Sequence, residues 1–233
     1  MKKVLSFHVF MILMSSVFLV NCSKSSSSSS SLTTSPEALA AHDSKSGGVY
    51  KGVLIGSSGT VKVVLQGGVL QIIMKIDGET RTLTTTSLSS WTSGDDITDA
   101  VFTNGTWSVS FSVNANGGSA DIIPNIPGHS GMEIEIEKEK SNEMVKVYEG
   151  TYAGTGITSP NNKWNFLIHN TDVSGIYSNG SSIEHLSGAV SGNNVGGATF
   201  SGATFTGTIS GNSVSGTWTD SPDNGTWTGT RTL

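Results

Sequence analysis

The chain has 233 residues, 13 of them Lys or Arg and 18 Asp or Glu, for a formal net charge of −5. With 13% charged residues, 29 glycines and no basic stripe, the composition argues against nucleic acid as a partner. It fits an exported β protein with many tight turns better than a cytoplasmic enzyme. Cys22 is the only cysteine, so the folded part has no thiol for a disulfide, a thiolate metal site or a cysteine nucleophile.

Lys2 and Lys3 give a basic start, and Val4 to Val20 is apolar apart from His8 and a few serines. That is the pattern of a secretory signal, too short for a spanning helix. It ends in Leu19-Val20-Asn21-Cys22. This string resembles the lipobox of bacterial lipoproteins, and Asn21 in particular is similar to the relaxed lipobox of spirochaetes such as Leptospira. The resemblance implies removal of residues 1–21, a diacylglycerol on the Cys22 sulfur and further acyl chains such as palmitate. Several chains on one N-terminus hold a protein stably on a bilayer. No aspartate follows the cysteine, which by analogy with enteric sorting favours the cell outer membrane, with the folded part exposed at the surface.

Residues 22–48 follow as a lipidated cysteine and a tether. The unbroken serines Ser25 to Ser31 bury no apolar area to offset their chain entropy, so the segment is expected to be disordered. The rest divides into two parts, 49–143 and 144–233, that read as a duplication. Val49-Tyr50-Lys51-Gly52 recurs as Val147-Tyr148-Glu149-Gly150; at the same offset Phe102 aligns with Phe200, Trp107 with Phe205 and Phe111 with Ile209. Near the ends, Pro127 to Met132 resembles Pro222 to Thr226.

Each copy reads as short strands separated by turn residues. In the second copy the expected strands are 149–153, 164–169, 173–178, 186–191, 203–210, 214–219 and 226–233. Gly192-Asn193-Asn194, Gly211-Asn212 and Pro222-Asp223-Asn224-Gly225 are among the breaks, and such residues supply the positive φ of tight hairpins. Val214, Gly216 and Trp218 alternate with Ser215, Thr217 and Thr219, and Met132, Ile134 and Ile136 with Glu133, Glu135 and Glu137. One face is therefore buried and the other wet. The fold class is all-β, two tandem antiparallel β-meander domains closing as small barrels or sandwiches. A β-solenoid-like single sheet is the alternative.

Trp164, Tyr177, Trp218 and Trp227 stand on strands of the second copy, where they line a ligand pocket if the barrel is wide enough and fill the core if it is not. Asp95, Asp96 and Asp99, and separately Asp220, Asp223 and Asn224, are oxygen-rich loops without EF-hand spacing. The Glu133–Glu139 row reads as a solvated face. His42, His129, His169 and His185 show no metal-ligand spacing, and there is no nucleophile elbow or phosphate-cradling loop. The reading is thus a non-enzyme without cofactor or metal, held on the membrane through lipid on Cys22. What the spirochaetal resemblance implies is a surface interaction or adhesion protein that engages host extracellular-matrix or serum proteins. A small-ligand β-barrel carrier and a structural envelope lipoprotein are the alternatives.

Overall fold

The computed structural model describes residues 32–157, 162–178 and 182–233. Sixteen strands and one 3-10 turn, Ala40–His42, make up its regular structure, with no α-helix among the described residues. The first eight strands are β1 (Gly48–Ile55), β2 (Gly59–Gln66), β3 (Val69–Ile76), β4 (Glu79–Thr84), β5 (Ile97–Asn104), β6 (Trp107–Val113), β7 (Asp121–Asn125) and β8 (Glu133–Glu139). They form one antiparallel sheet in the order β7-β6-β5-β4-β3-β2-β1-β8. The second eight are β9 (Val145–Gly154), β10 (Lys163–His169), β11 (Asp172–Ser178), β12 (Ile183–Ser191), β13 (Asn194–Thr199), β14 (Thr204–Ser210), β15 (Ser213–Asp220) and β16 (Asp223–Arg231), and they close into a barrel. Both sheets have the same wiring, up and down, with the first strand paired to both the second and the last. Two tandem β domains are therefore present, and the solenoid alternative is set aside.

Local sequence explains why one sheet closes and the other nearly does. Two-residue hairpins join seven of the fifteen consecutive strand pairs; between β3 and β4 the loop is Asp77-Gly78, with φ 48° and 87°, the left-handed pair that matches strand twist. In the second barrel β15 and β16 are joined just as tightly, with Asp220 opposite Asp223. In the first, residues 126–132 separate β7 from β8, and β7 is a five-residue strand containing Pro124, which lacks a donor for further pairing. The two strands do not pair. A second weak seam lies at β4 and β5, which share a single registered pair, Thr84 and Thr103.

Some of the positions aligned in sequence are equivalent inside the barrels. Tyr50 on β1 and Tyr148 on β9 are buried equivalents, and so are Trp107 on β6 and Phe205 on β14. Phe102 and Phe200 do not correspond: Phe102 is buried on β5, whereas Phe200 sits in the turn after β13 and is 77% exposed. The expected strand list also lacked β13, whose Asn-Val-Gly-Gly-Ala-Thr sequence has one large apolar residue but pairs on both sides.

The interiors differ in kind. The first core is mainly aliphatic, around Leu54, Val61, Val63, Ile72, Met74 and Val109, with Tyr50 edge-on to Phe111 at 5.4 Å. The second packs aromatics against glycines. A Cβ on Gly207 would collide with the Trp227 ring and the Ser215 carbonyl, so glycine is needed there for the indole to lie on the sheet. Large and small residues thus interdigitate to fill a narrow barrel.

Two expectations are corrected. First, residues 32–48, read as the end of a disordered tether, are packed on the first sheet. The Glu37 carboxylate contacts Lys51 and Lys62, each at 3.0 Å, and Asp43 accepts from the Ser141 N–H and hydroxyl at 2.8 and 2.7 Å. The serine composition that predicts disorder ends at Ser31; after it come side chains able to pair. Second, the outer face of β1 is not wet. All eight β1 residues are buried, because Val53 and Ile55 pack with Val145, Val147, Leu167 and Ile176 in an apolar layer joining the barrels. Within that layer Lys51 and Glu139, both fully buried, form an ion pair at 2.7 Å, and the Asn165 amide donates to the Leu54 carbonyl at 2.7 Å.

Candidate functional site

The second barrel has a mouth where β9, β11, β13 and β15 end and β10, β12, β14 and β16 begin. Alternation points Tyr152, Trp164, Tyr177 and Trp218 inward at this end. With Ile157, Thr199, Ala203, Thr204, Asp220 and Asp223 they line a cavity of about 120 Å3. Tyr152 is edge-on to Trp164, Tyr177 and Trp218, with centroids 6.2, 6.0 and 6.0 Å away.

Hydrogen bonds hold most of this lining. The Tyr152 hydroxyl donates to the Ser178 carbonyl at 3.2 Å, the Tyr177 hydroxyl to the Glu184 carboxylate at 2.8 Å, and the Trp218 indole to the Ala153 carbonyl at 3.1 Å. The Trp164 indole N–H, on a residue only 3% exposed, has no partner among the described residues. A buried unpaired donor costs about 1–3 kcal/mol. Burial, helped by Tyr177 and Glu184, pushes the Tyr152 phenol up to about 12, and burial raises Tyr177 as well. Both phenols are therefore neutral donors and acceptors at physiological pH.

Of the four aromatics read from sequence, the fold brings Trp164, Tyr177 and Trp218 together at the mouth. Trp227 lies deeper, fully buried and stacked on Trp164 at 5.7 Å, and serves as core. Tyr152 is not among the four aromatics read from sequence; its place two residues from the end of β9 is the signal that would have found it. Cys22 lies outside the described residues.

A second concavity, about 980 Å3, runs across the outside of β12 to β16. Its outward side chains are almost all hydroxyls: Thr206, Thr208, Ser215, Thr217, Thr226 and Thr228. The strict inward and outward alternation of these strands produces that face.

The remaining polar candidates have local partners. Asp95, Asp96 and Asp99 each turn to a different group: the Thr92 N–H at 3.1 Å, the Ala115 N–H at 2.5 Å and the Ser112 hydroxyl at 3.4 Å. Among the described residues no three His, Cys, Asp or Glu side chains are grouped to hold a metal ion. The Glu133–Glu139 row is corrected from a solvated face to a contact with the second barrel. His185 lies 3.5 Å from Glu133 and 3.4 Å from Glu135, and His169 lies 3.9 Å from Glu137 and 3.3 Å from Glu143. Burial raises the Glu137 carboxyl, with the His169 charge opposing that shift.

Two histidines touch serines, His42 with Ser93 at 2.8 Å and His129 with Ser57. In both the serine meets Nδ1, and Asp77 approaches that same nitrogen of His129 at 4.0 Å. A catalytic triad needs serine and carboxylate on opposite ring nitrogens, so neither contact has that geometry. No protein-family model matches the chain, and no curated protein is significantly similar to it.

Proposed function

We propose that the protein is a lipid-anchored, non-catalytic binding protein of the bacterial outer membrane, and that the mouth of its second barrel takes a small ligand. The observation that supports binding most directly is a cavity at the barrel mouth walled by the rings of Tyr152, Trp164, Tyr177 and Trp218. Ring faces supply the apolar contact typical of small-molecule sites. Tryptophan fluorescence titrations with small amines, sugars and alkyl alcohols test this. Saturable binding lost in Trp218→Ala supports the mouth, while a flat response to the whole panel refutes it. Anchoring is tested separately: Cys22→Ala is expected to leave the detergent phase, and its retention there would remove lipidation from the proposal.

The outer hydroxyl groove favours a second reading, surface adhesion to host extracellular-matrix or serum proteins. Rows of threonine hydroxyls can both donate to and accept from an extended backbone. Protease treatment of intact cells, with a periplasmic control, tests exposure; protection equal to the control removes adhesion and leaves ligand carriage. Thr217→Glu, which places a charge mid-groove, is expected to abolish binding to immobilised matrix protein without altering the mouth.

A further inference from the structure

We infer that the mouth cavity takes a small organic cation of the alkylammonium class. This rests on the reading of the mouth as a ligand site and adds the chemistry of the occupant. Charge sets the sign. The cavity lining includes two carboxylates, Asp220 and Asp223, and no lysine or arginine; Glu184 stands behind Tyr177. Of the three lysines and arginines in 145–233, Lys146 and Arg231 belong to the opposite end of the barrel and Lys163 to the outward side of β10. An anion is therefore repelled and a cation attracted.

The walls narrow the class. Rings of Tyr152, Trp164, Tyr177 and Trp218 surround the space, and a cation held against such faces is attracted by the ring quadrupoles. With Tyr152 and Tyr177 held neutral, the negative charge stays at the rim, so the cation sits between rings and carboxylates. A sugar has no charge for the aspartates, and an anion is repelled by them. A cavity of about 120 Å3 admits a headgroup of a few heavy atoms, well below the several hundred Å3 of sites for larger ligands. A compact alkylammonium meets charge, ring faces and size together.

The test uses the full mature chain in detergent, titrated by tryptophan fluorescence and calorimetry with tetramethylammonium chloride, choline chloride, glucose and phosphatidylcholine vesicles. Both ammonium ions are expected to saturate, with no response to glucose. Asp220→Asn/Asp223→Asn alters only the rim and should weaken both cations about tenfold or more; unchanged affinity in that variant overturns the inference. Trp218→Ala removes one ring and should weaken them too. Saturation by glucose with silence from both ammonium ions overturns the inference but leaves the mouth a ligand site. Silence from every probe overturns both. Binding of Cys22→Ala protein to phosphatidylcholine vesicles without a response to free ammonium ions assigns the group to a lipid head and overturns the free cation.

Discussion

Lys51→Met probes the joint between the barrels. The Lys51 ammonium sits 2.7 Å from Glu139 and 3.0 Å from Glu37; the Lys51 and Glu139 side chains are fully buried, and that of Glu37 is 30% exposed. Methionine keeps the stem and its packing but deletes the charge. Glu139 is then left in the apolar layer with two backbone donors, the Val145 N–H at 3.0 Å and the Glu37 N–H at 2.5 Å. Breaking a buried pair from one side costs about 3–5 kcal/mol, because the remaining charge is uncompensated. At about 2–4 °C per kcal/mol for a cooperative unit of roughly 200 residues, Tm should fall by about 6–20 °C. Urea unfolding followed by tryptophan fluorescence measures the loss at constant slope. Lys51→Met/Glu139→Gln, which removes both charges and retains an acceptor for Val145, is expected to recover most of it. A single variant within about 1 kcal/mol of the parent, with unchanged slope, would refute the argument, since a solvated pair is worth no more than that.

Gly207→Ala forces a methyl into the Trp227 ring and the Ser215 carbonyl; it should destabilise by about 1–3 kcal/mol and shift the tryptophan emission of the second barrel. Leu167→Asp places a charge in the layer between the barrels and is expected to split a single thermal transition into two, which calorimetry reads directly. Burial raises the Glu37 carboxyl, but bonds from Lys51 and Lys62 outweigh it and leave the group below its ordinary value of 4.5. A depressed carboxylate contributes stability above its unfolded value and loses it as pH falls through the folded one. Hydrogen exchange across 33–46 should therefore accelerate below about pH 4.5, and Glu37→Gln should flatten that dependence.

What the sequence disclosed follows from what a two-residue period can carry. Val214, Trp218 and Trp227 against Thr217 and Thr228 announce strands and faces without any knowledge of the partner. Strand β13 escaped because Gly196 and Gly197 remove the alternation; its place is set by the neighbours on either side. The double burial of β1 was equally hidden. Lys51 reads as an outward residue, and only the docked second barrel and Glu139 turn that outside into an inside. For the site, Trp218 and Trp227 look alike in sequence, both flanked by threonines. The register makes them different: Trp218 lies two residues from the end of β15 at the mouth, while Trp227 is the middle residue of β16.

That register also gives the second barrel two unlike ends. Arg231, at the far end of β16 from Asp223, donates to the Thr33 carbonyl at 2.7 Å, so residue 33 lies beside the end opposite the mouth. Lys146 on β9 belongs to that same end, since it pairs with Ile168 near the end of β10. Asp220 and Asp223 pair across the last hairpin at the mouth. The up-and-down wiring thus sorts charge along the barrel axis, basic at one end and acidic at the other. Two hairpin aspartates would be ordinary turn residues on their own; what makes them count for the mouth is that the alternation of β9, β10, β11 and β15 brings four aromatic rings to the same end.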